Sequence, residues 1–217
     1  MQKPAIKGKI KYIRFCWAKF IYRIFNITRG NTMLVYFASK GLSSSDKEIK
    51  IDSHLFIDDG IFPNNAVLKL VIYTQAFAAN PNVSPELIEE IFSGNNWKNS
   101  WRNGLYTMHH YHSSAHEVLG IYSGWVEVQF GGPKGTIIRA RAGDVIVIPA
   151  GVSHKNVEQS SDFQVIGAYP KGQMWDMNYG KEGERPQTER TIQNVPLPEK
   201  DPVFGDLGLL FQIWTPL

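Results

Sequence analysis

The chain has 217 residues, one ordinary domain with decoration, long enough to bury a substantial core without disulfide staples. Its apolar, aromatic and charged fractions are those of a soluble globular protein, and its single cysteine, Cys16, excludes an intramolecular disulfide and fits a reducing, cytoplasmic setting. No run approaches the length of apolar sequence that a transmembrane helix needs, so no transmembrane segment is expected.

The net charge of +3 hides an uneven distribution. Residues 1–32 carry eight Lys/Arg and no acid, which leaves 15 basic against 20 acidic residues, a net −5, over residues 33–217. That balance gives no case for nucleic-acid binding. The basic segment, taken as residues 1–40, has three readings. Ile13, Cys16, Trp17, Phe20, Ile24 and Ile27 fall on one helical stripe with Lys11, Arg14, Lys19 and Arg23 mostly off it, as in a membrane-surface or targeting helix. Alternatively it is a packed appendage, or a dispensable extension upstream of a start at Met33.

Residues 40–54 are polar and turn-rich and read as the boundary before a single domain over residues 54–217. Asp58-Asp-Gly60 and Pro63-Asn-Asn65 are turn signals, followed by a strand-like run from Val67 to Tyr73. Ser84 to Phe92 is the clearest helix: Ser84 can cap it, Pro85 suits its first turn, and Leu87, Ile88, Ile91 and Phe92 form one apolar face. Gly94 can end it. Short β-like runs then follow at 117–122, 125–130, 136–141, 145–148 and 163–169, each closed by Gly or Pro. Strands at this spacing predict an antiparallel sandwich or barrel with a core over about 54–170. The tail, 171–217, is expected to wrap it as ordered loop.

Five of the six histidines lie in two windows, Gly104 to Glu117 and Pro149 to His154. On a strand His110 and His112 share a face, together with Tyr106 and Met108, while His109 faces the other way. Glu117 stands at an odd offset, but the small, turn-prone Ser113-Ser-Ala115 lets the chain bend and restart. The Pro149-Ala-Gly151 turn can return His154 to the same cavity. Three His and one Glu leave two octahedral positions open and suit iron, manganese or nickel; zinc also accepts such donors. The absence of thiolate argues against iron–sulfur and copper(I) chemistry.

These residues resemble a known family. Gly104-x5-His110-x-His112-x4-Glu117-x6-Gly124 is similar to the first cupin motif, and Gly143-x5-Pro149-x-Gly151-x2-His154 to the second. The second motif's last Asn is replaced by Glu158, with Asn156 nearby. From about His54 onward, Pro63-Asn-Asn65, Trp101-Arg-Asn-Gly104, Ala115-His-Glu117 and Gly183-Glu-Arg-Pro186 resemble the small YjlB-like cupins. The resemblance implies an all-β, double-stranded β-helix (jelly-roll, RmlC-like) barrel with a short flanking N-terminal helix. It also implies a divalent metal on His110, His112, Glu117 and His154. Motif spacing favours Glu117 over His116, which parity then turns to the surface or to a supporting position.

The remaining residues carry weaker readings. Tyr106 and Met108 are candidates for lining the cavity. Arg102 could meet a substrate carboxylate or brace its own loop, and the brace is preferred. Gly131, Gly132 and Gly135 read as a hairpin turn, and Asp144 as a turn-fixing side chain. Ser113, Ser114 and Ser153 have no local base, so an acyl-transfer triad is unsupported. The expected function is a metal-dependent enzyme acting on a small polar molecule, oxygenase or isomerase type undetermined. The alternative is a non-catalytic module that binds a small ligand. A homodimer is a possible assembly.

Overall fold

The structure is a computed structural model that describes residues 14–17, 20–23, 26–29, 32–37, 47–77, 84–206 and 208–214, with side chains described from residue 50 onward. The chain divides into two compact units, Met1–Asp52 and Ser53–Leu217.

In the first unit β1 (Arg14–Trp17) pairs antiparallel with β2 (Phe20–Arg23). β3 (Asn26–Arg29) pairs with β4 (Thr32–Phe37), and β4 pairs with β5 (Lys47–Phe56). The helical stripe is therefore not realised: Cys16, Trp17, Phe20 and Ile27 are strand residues, and Ile13 and Ile24 lie outside the described residues. Aromatic and β-branched side chains favour an extended backbone, and here that preference prevails over the 3.6-residue pattern. Within the expected turn-rich boundary, residues 47–54 belong to β5, and 40–46 lie outside the described residues.

The second unit contains β6 (Asn65–Thr74), α1 (Pro85–Gly94), β7 (Trp97–Asn103), β8 (Glu117–Ser123), β9 (Trp125–Phe130) and β10 (Thr136–Arg141). β11 (Val145–Ile148), β12 (His154–Gln159), β13 (Gln164–Pro170), α2 (Gln187–Gln193) and α3 (Leu210–Trp214) follow. Within the second unit a large sheet runs in the order β6-β11-β8-β13-β7 and a small one in the order β10-β9-β12. From β8 onward the chain alternates between them. It leaves the large sheet at Gly124, makes the β9–β10 hairpin, returns as β11, crosses as β12 and returns as β13. Leu70, Ile72, Leu119, Ile121, Ile146 and Ile148 of the large sheet join Val126, Val128 and Phe130 of the small one in a single buried cluster. The core thus lies between two antiparallel sheets, the sandwich expected from the strand spacing and the jelly-roll that the family resemblance implies.

α1 forms as the sequence predicts. The Ser84 hydroxyl accepts from the Leu87 amide at 3.2 Å, and Ile88 and Phe92 are its buried residues. They sit on Gly120 of β8, where a Cβ would come within 2.9 Å of Ile88 Cγ2. The helix ends at Gly94 as expected, although Asn96 and not the glycine takes the left-handed conformation (φ 63°), which asparagine tolerates better than most side chains. The tail is not wholly irregular: α2 and α3 interrupt it, and Trp214 donates its indole N–H to the Lys69 carbonyl at 2.7 Å. The strand expected around His110 and His112 is reduced to isolated bridges at His110 and Tyr111, and the chain bends at Ser113–Ser114 as expected.

Candidate metal centre

The two histidine windows are stitched together by backbone hydrogen bonds. The His110 amide donates to the His154 carbonyl at 3.2 Å, and the His154 amide returns a bond to the His110 carbonyl at 2.9 Å. The Gly151 amide donates to the His112 carbonyl at 2.8 Å. Gly151 has a φ of +93°, and a Cβ there would lie 2.4 Å from the Asn64 carbonyl oxygen, so only glycine fits this turn. Asn64 Oδ1 accepts from the Ser153 amide (3.1 Å) and Asn65 Nδ2 donates to the Ala150 carbonyl (3.0 Å), so the Pro63-Asn-Asn65 stretch braces the turn that delivers His154.

The bend between His112 and Glu117 is held from a distance. Asp176 accepts from the Ser113 amide (2.6 Å), the Ser113 hydroxyl (2.5 Å) and the Ser114 amide (3.2 Å). Burial pushes its carboxyl up, but the Ser113 and Asn178 donors outweigh that and hold it below the ordinary value. Beyond the bend Glu117 opens β8, facing Ile148 of β11.

These constraints bring one ring nitrogen each of His110, His112 and His154 within 4.8 Å of one another. All three rings are buried. Their Nδ1 atoms lie against main-chain carbonyls: Met108 for His110 (3.1 Å), Asp176 for His112 (2.5 Å) and Val152 for His154 (3.1 Å). A carbonyl only accepts, so each Nδ1 carries a proton, and each ring in its neutral form presents an Nε2 lone pair. The Nε2 atoms of His112 and His154 both stand 3.5 Å from Glu117 Oε2. The other carboxylate oxygen, Oε1, accepts from the Tyr169 hydroxyl at 2.8 Å, and Trp101 Nε1 donates to that hydroxyl at 3.0 Å. Trp101 reaches it by lying over Gly167, where a Cβ would meet the indole at 2.2 Å.

The electrostatics agree with a cation's place. Burial would raise the Glu117 carboxyl, but His112, His154 and Tyr169 together hold it at about 2, so it is an anion. Burial lowers His112, and the Glu117 charge more than offsets it, so that imidazole lies above its ordinary value. His154 is held well below its ordinary value by burial and by His110, and His110 is lowered by burial. Lone pairs facing a carboxylate oxygen repel unless a proton or a metal ion lies between them. The donor set therefore fits a divalent transition metal.

The other candidate residues go elsewhere. His116 turns away from the cluster as parity predicts, but it is not at the surface. It is 1% exposed, its Nδ1 accepts from the Ala150 amide (2.9 Å), and its ring packs on Trp214 at 4.8 Å. Burial lowers it to about 3. His109 packs on Phe62 and pairs through Nδ1 with the Ser153 hydroxyl (3.1 Å). The sequence offered Ser153 no local base, and the fold supplies one, but Ser153 has no exposed surface from which to meet a substrate. Arg102 is not at the cavity; it pairs with Glu86 and Glu89 of α1 and braces the helix. Tyr106 stands beside His110, and Met108 contributes its carbonyl while its side chain is exposed. Asp144 fixes its turn, accepting from the Arg141 and Gln75 amides, and Asn156 is buried beside a β-bulge in β12. Asp176, Tyr169, Trp101 and Trp175 were not singled out as partners of the centre, and nothing in local spacing marks them.

No protein-family model matches the chain. A protein of Bacillus subtilis (strain 168) described as "Uncharacterized protein YjlB" is 41% identical over 168 residues, which covers 77% of this chain and 99% of the relative. Two solved structures are similar in part. Acireductone dioxygenase from Bacillus anthracis, with a cadmium ion in its active centre, has a TM-score of 0.35 and 15% identity, over 59% of this chain and 83% of that one. The dTDP-4-dehydrorhamnose 3,5-epimerase from Elizabethkingia anophelis NUHP1 has a TM-score of 0.33 and 10% identity, over 80% and 95%. Likeness at these scores says nothing of chemistry. A jelly-roll carrying both histidine motifs is a cupin. With that degree of identity across the whole relative, the chain belongs to the YjlB family of cupins.

Proposed function

We propose that His110, His112, His154 and Glu117 hold one divalent transition metal, and that the protein is a metal-dependent enzyme acting on a small polar molecule. The observation that carries this reading is the convergence of three Nε2 lone pairs, each fixed by a carbonyl behind it, with Glu117 Oε2 at 3.5 Å from two of them. When bound, the metal supplies a Lewis acid with positions left for substrate oxygens. The chain's own part is to orient the donors and to keep the Glu117 side of the centre dry. It also holds Glu117 Oε1 through the Tyr169 hydroxyl, which would leave Oε2 as the oxygen offered to the metal.

Elemental analysis tests it. Wild-type protein purified without added metal is expected to carry about one equivalent of iron, manganese, nickel or zinc, and a His110→Ala/His112→Ala variant none, with an unchanged far-ultraviolet circular dichroism spectrum. Metal-free wild type, or equal occupancy in the variant, sinks the proposal. Turnover by metal-loaded protein of hydroxy acids, sugars and thiols, with oxygen consumption followed, then separates oxygen-dependent from redox-neutral chemistry.

A further inference from the structure

The proposed centre is not equally closed on all sides. His154 and Glu117 are sealed at 1% and 2% exposure, whereas His110 and His112 keep 4% and 6%. All four are buried, and His110 and His112 are the least closed of them. An aromatic ring stands beside each of those two imidazoles. Tyr106 meets His110 edge-on with centroids 5.2 Å apart, and Trp175 meets His112 edge-on at 5.7 Å.

Both rings touch a proposed ligand, yet Tyr106 is 58% and Trp175 47% exposed. Their backbone is pinned. The Tyr106 carbonyl accepts from the Asn156 amide at 2.8 Å. Trp175 sits between Met174, whose carbonyl accepts from the Ser114 hydroxyl (2.7 Å), and Asp176, whose carboxylate caps the Ser113-Ser114 bend. Tyr169 lies nearly parallel to Trp175 at 6.0 Å. Large rings held on fixed backbone and left half in water form a surface suited to another flat, apolar body.

Charge narrows the occupant further. Glu117 is the carboxylate at the cluster, 3.5 Å from His112 and His154, and it offsets one of the two charges of a divalent ion, so a singly charged ligand brings the centre to neutrality and a dianion overshoots it. Resting on the metal reading above, we infer that this site takes a small oxygen chelator, neutral or singly charged. Its flat aromatic or conjugated body lies against Trp175 and Tyr106, which are its specificity residues.

Mandelate and lactate test this directly, because they share one hydroxy-carboxylate head and one charge and differ in a phenyl ring. Calorimetric titration of cobalt(II)-loaded wild-type protein should show mandelate binding about tenfold tighter than lactate, and tighter than oxalate, which has no ring and two charges. Trp175→Leu and Tyr106→Leu keep apolar bulk but remove the ring. Each should reduce the mandelate preference, Trp175→Leu the more, with lactate affinity and metal content unchanged. Equal affinity of mandelate and lactate for wild type overturns the inference, as does a preference that survives both substitutions. A wild type that takes up no cobalt is a different failure, visible by elemental analysis before any probe is added, and it sinks the metal reading together with this one.

Discussion

Asp201 and the imidazole cluster are both buried polar groups in a β protein, yet they are finished in different ways. Tyr73 of β6 turns away from the core cluster that Leu70 and Ile72 join, and donates its hydroxyl to Asp201 Oδ2 at 2.5 Å. The same oxygen accepts from the Leu210 amide, and Oδ1 accepts from the Val203 and Phe204 amides. Gly208 closes over the loop so tightly that a Cβ there would overlap Asp201 Cβ at 1.8 Å. Each carboxyl oxygen meets two donors, and nothing is left for a ligand. In the cluster, hydrogen bonds are spent only on the outer nitrogens and on Glu117 Oε1, while the inner lone pairs face one another. Buried polarity is architecture when its donors and acceptors close on themselves. It is a binding site when they converge and remain open.

The difference can be broken first at Asp201. Asp201→Ala removes the acceptor of the buried Tyr73 hydroxyl and Leu210 amide and of the partly buried Val203 and Phe204 amides, and should cost about 3–5 kcal/mol in urea unfolding. Metal content should not change, because no Asp201 partner touches the cluster. Loss of metal at native stability would show the two regions to be coupled and dissolve the distinction between them.

Tyr169→Phe is the complementary change. It removes the bond that fixes Glu117 Oε1, frees the carboxylate to rotate, and leaves the Trp101 N–H without its acceptor. Supporting bonds of this kind are worth roughly tenfold to a hundredfold in metal affinity, read by competition with a chelator. The cost in fold stability should be only about 1 kcal/mol. An unchanged affinity would show that Glu117 needs no support and that the cluster is as self-sufficient as the Asp201 loop.

What was legible in the sequence follows the distance over which each feature is built. The strands from β8 to β11 and helix α1 are local, written in alternation, turn glycines and a serine cap, and they lie within a residue or two of where those signals put them. The coming together of His110, His112, Glu117 and His154 was legible because their motifs carry them on short, fixed spacings. Their supports are remote: Tyr169 reaches Glu117 across 52 residues and Asp176 reaches Ser113 across 63. The burial of His116 depends on Trp214, a residue of the C-terminal helix. α2 and α3, at seven and five residues, are too short to show a period. In the N-terminal segment the stripe was a true pattern of apolar residues, but strand formers wrote it.

The smallest expected effect is one of pH, and it again separates the two regions. Burial raises the Asp201 carboxyl above its ordinary value despite the donors around it. The folded protein therefore binds this proton more tightly than the unfolded chain. The resulting stabilisation is fully present below the unfolded value and is lost as pH rises through the raised folded value. Glu117 has the opposite sign: its carboxyl is lowered to about 2, so its contribution is present above the unfolded value and fades as pH falls. Asp201→Asn cannot titrate. The stability difference between wild type and this variant, from urea midpoints between about pH 3.5 and pH 6, should therefore narrow as pH rises, while every other carboxylate cancels in the subtraction. A difference that widens would mean that the anion, not the acid, is the form the Asp201 loop was built to hold.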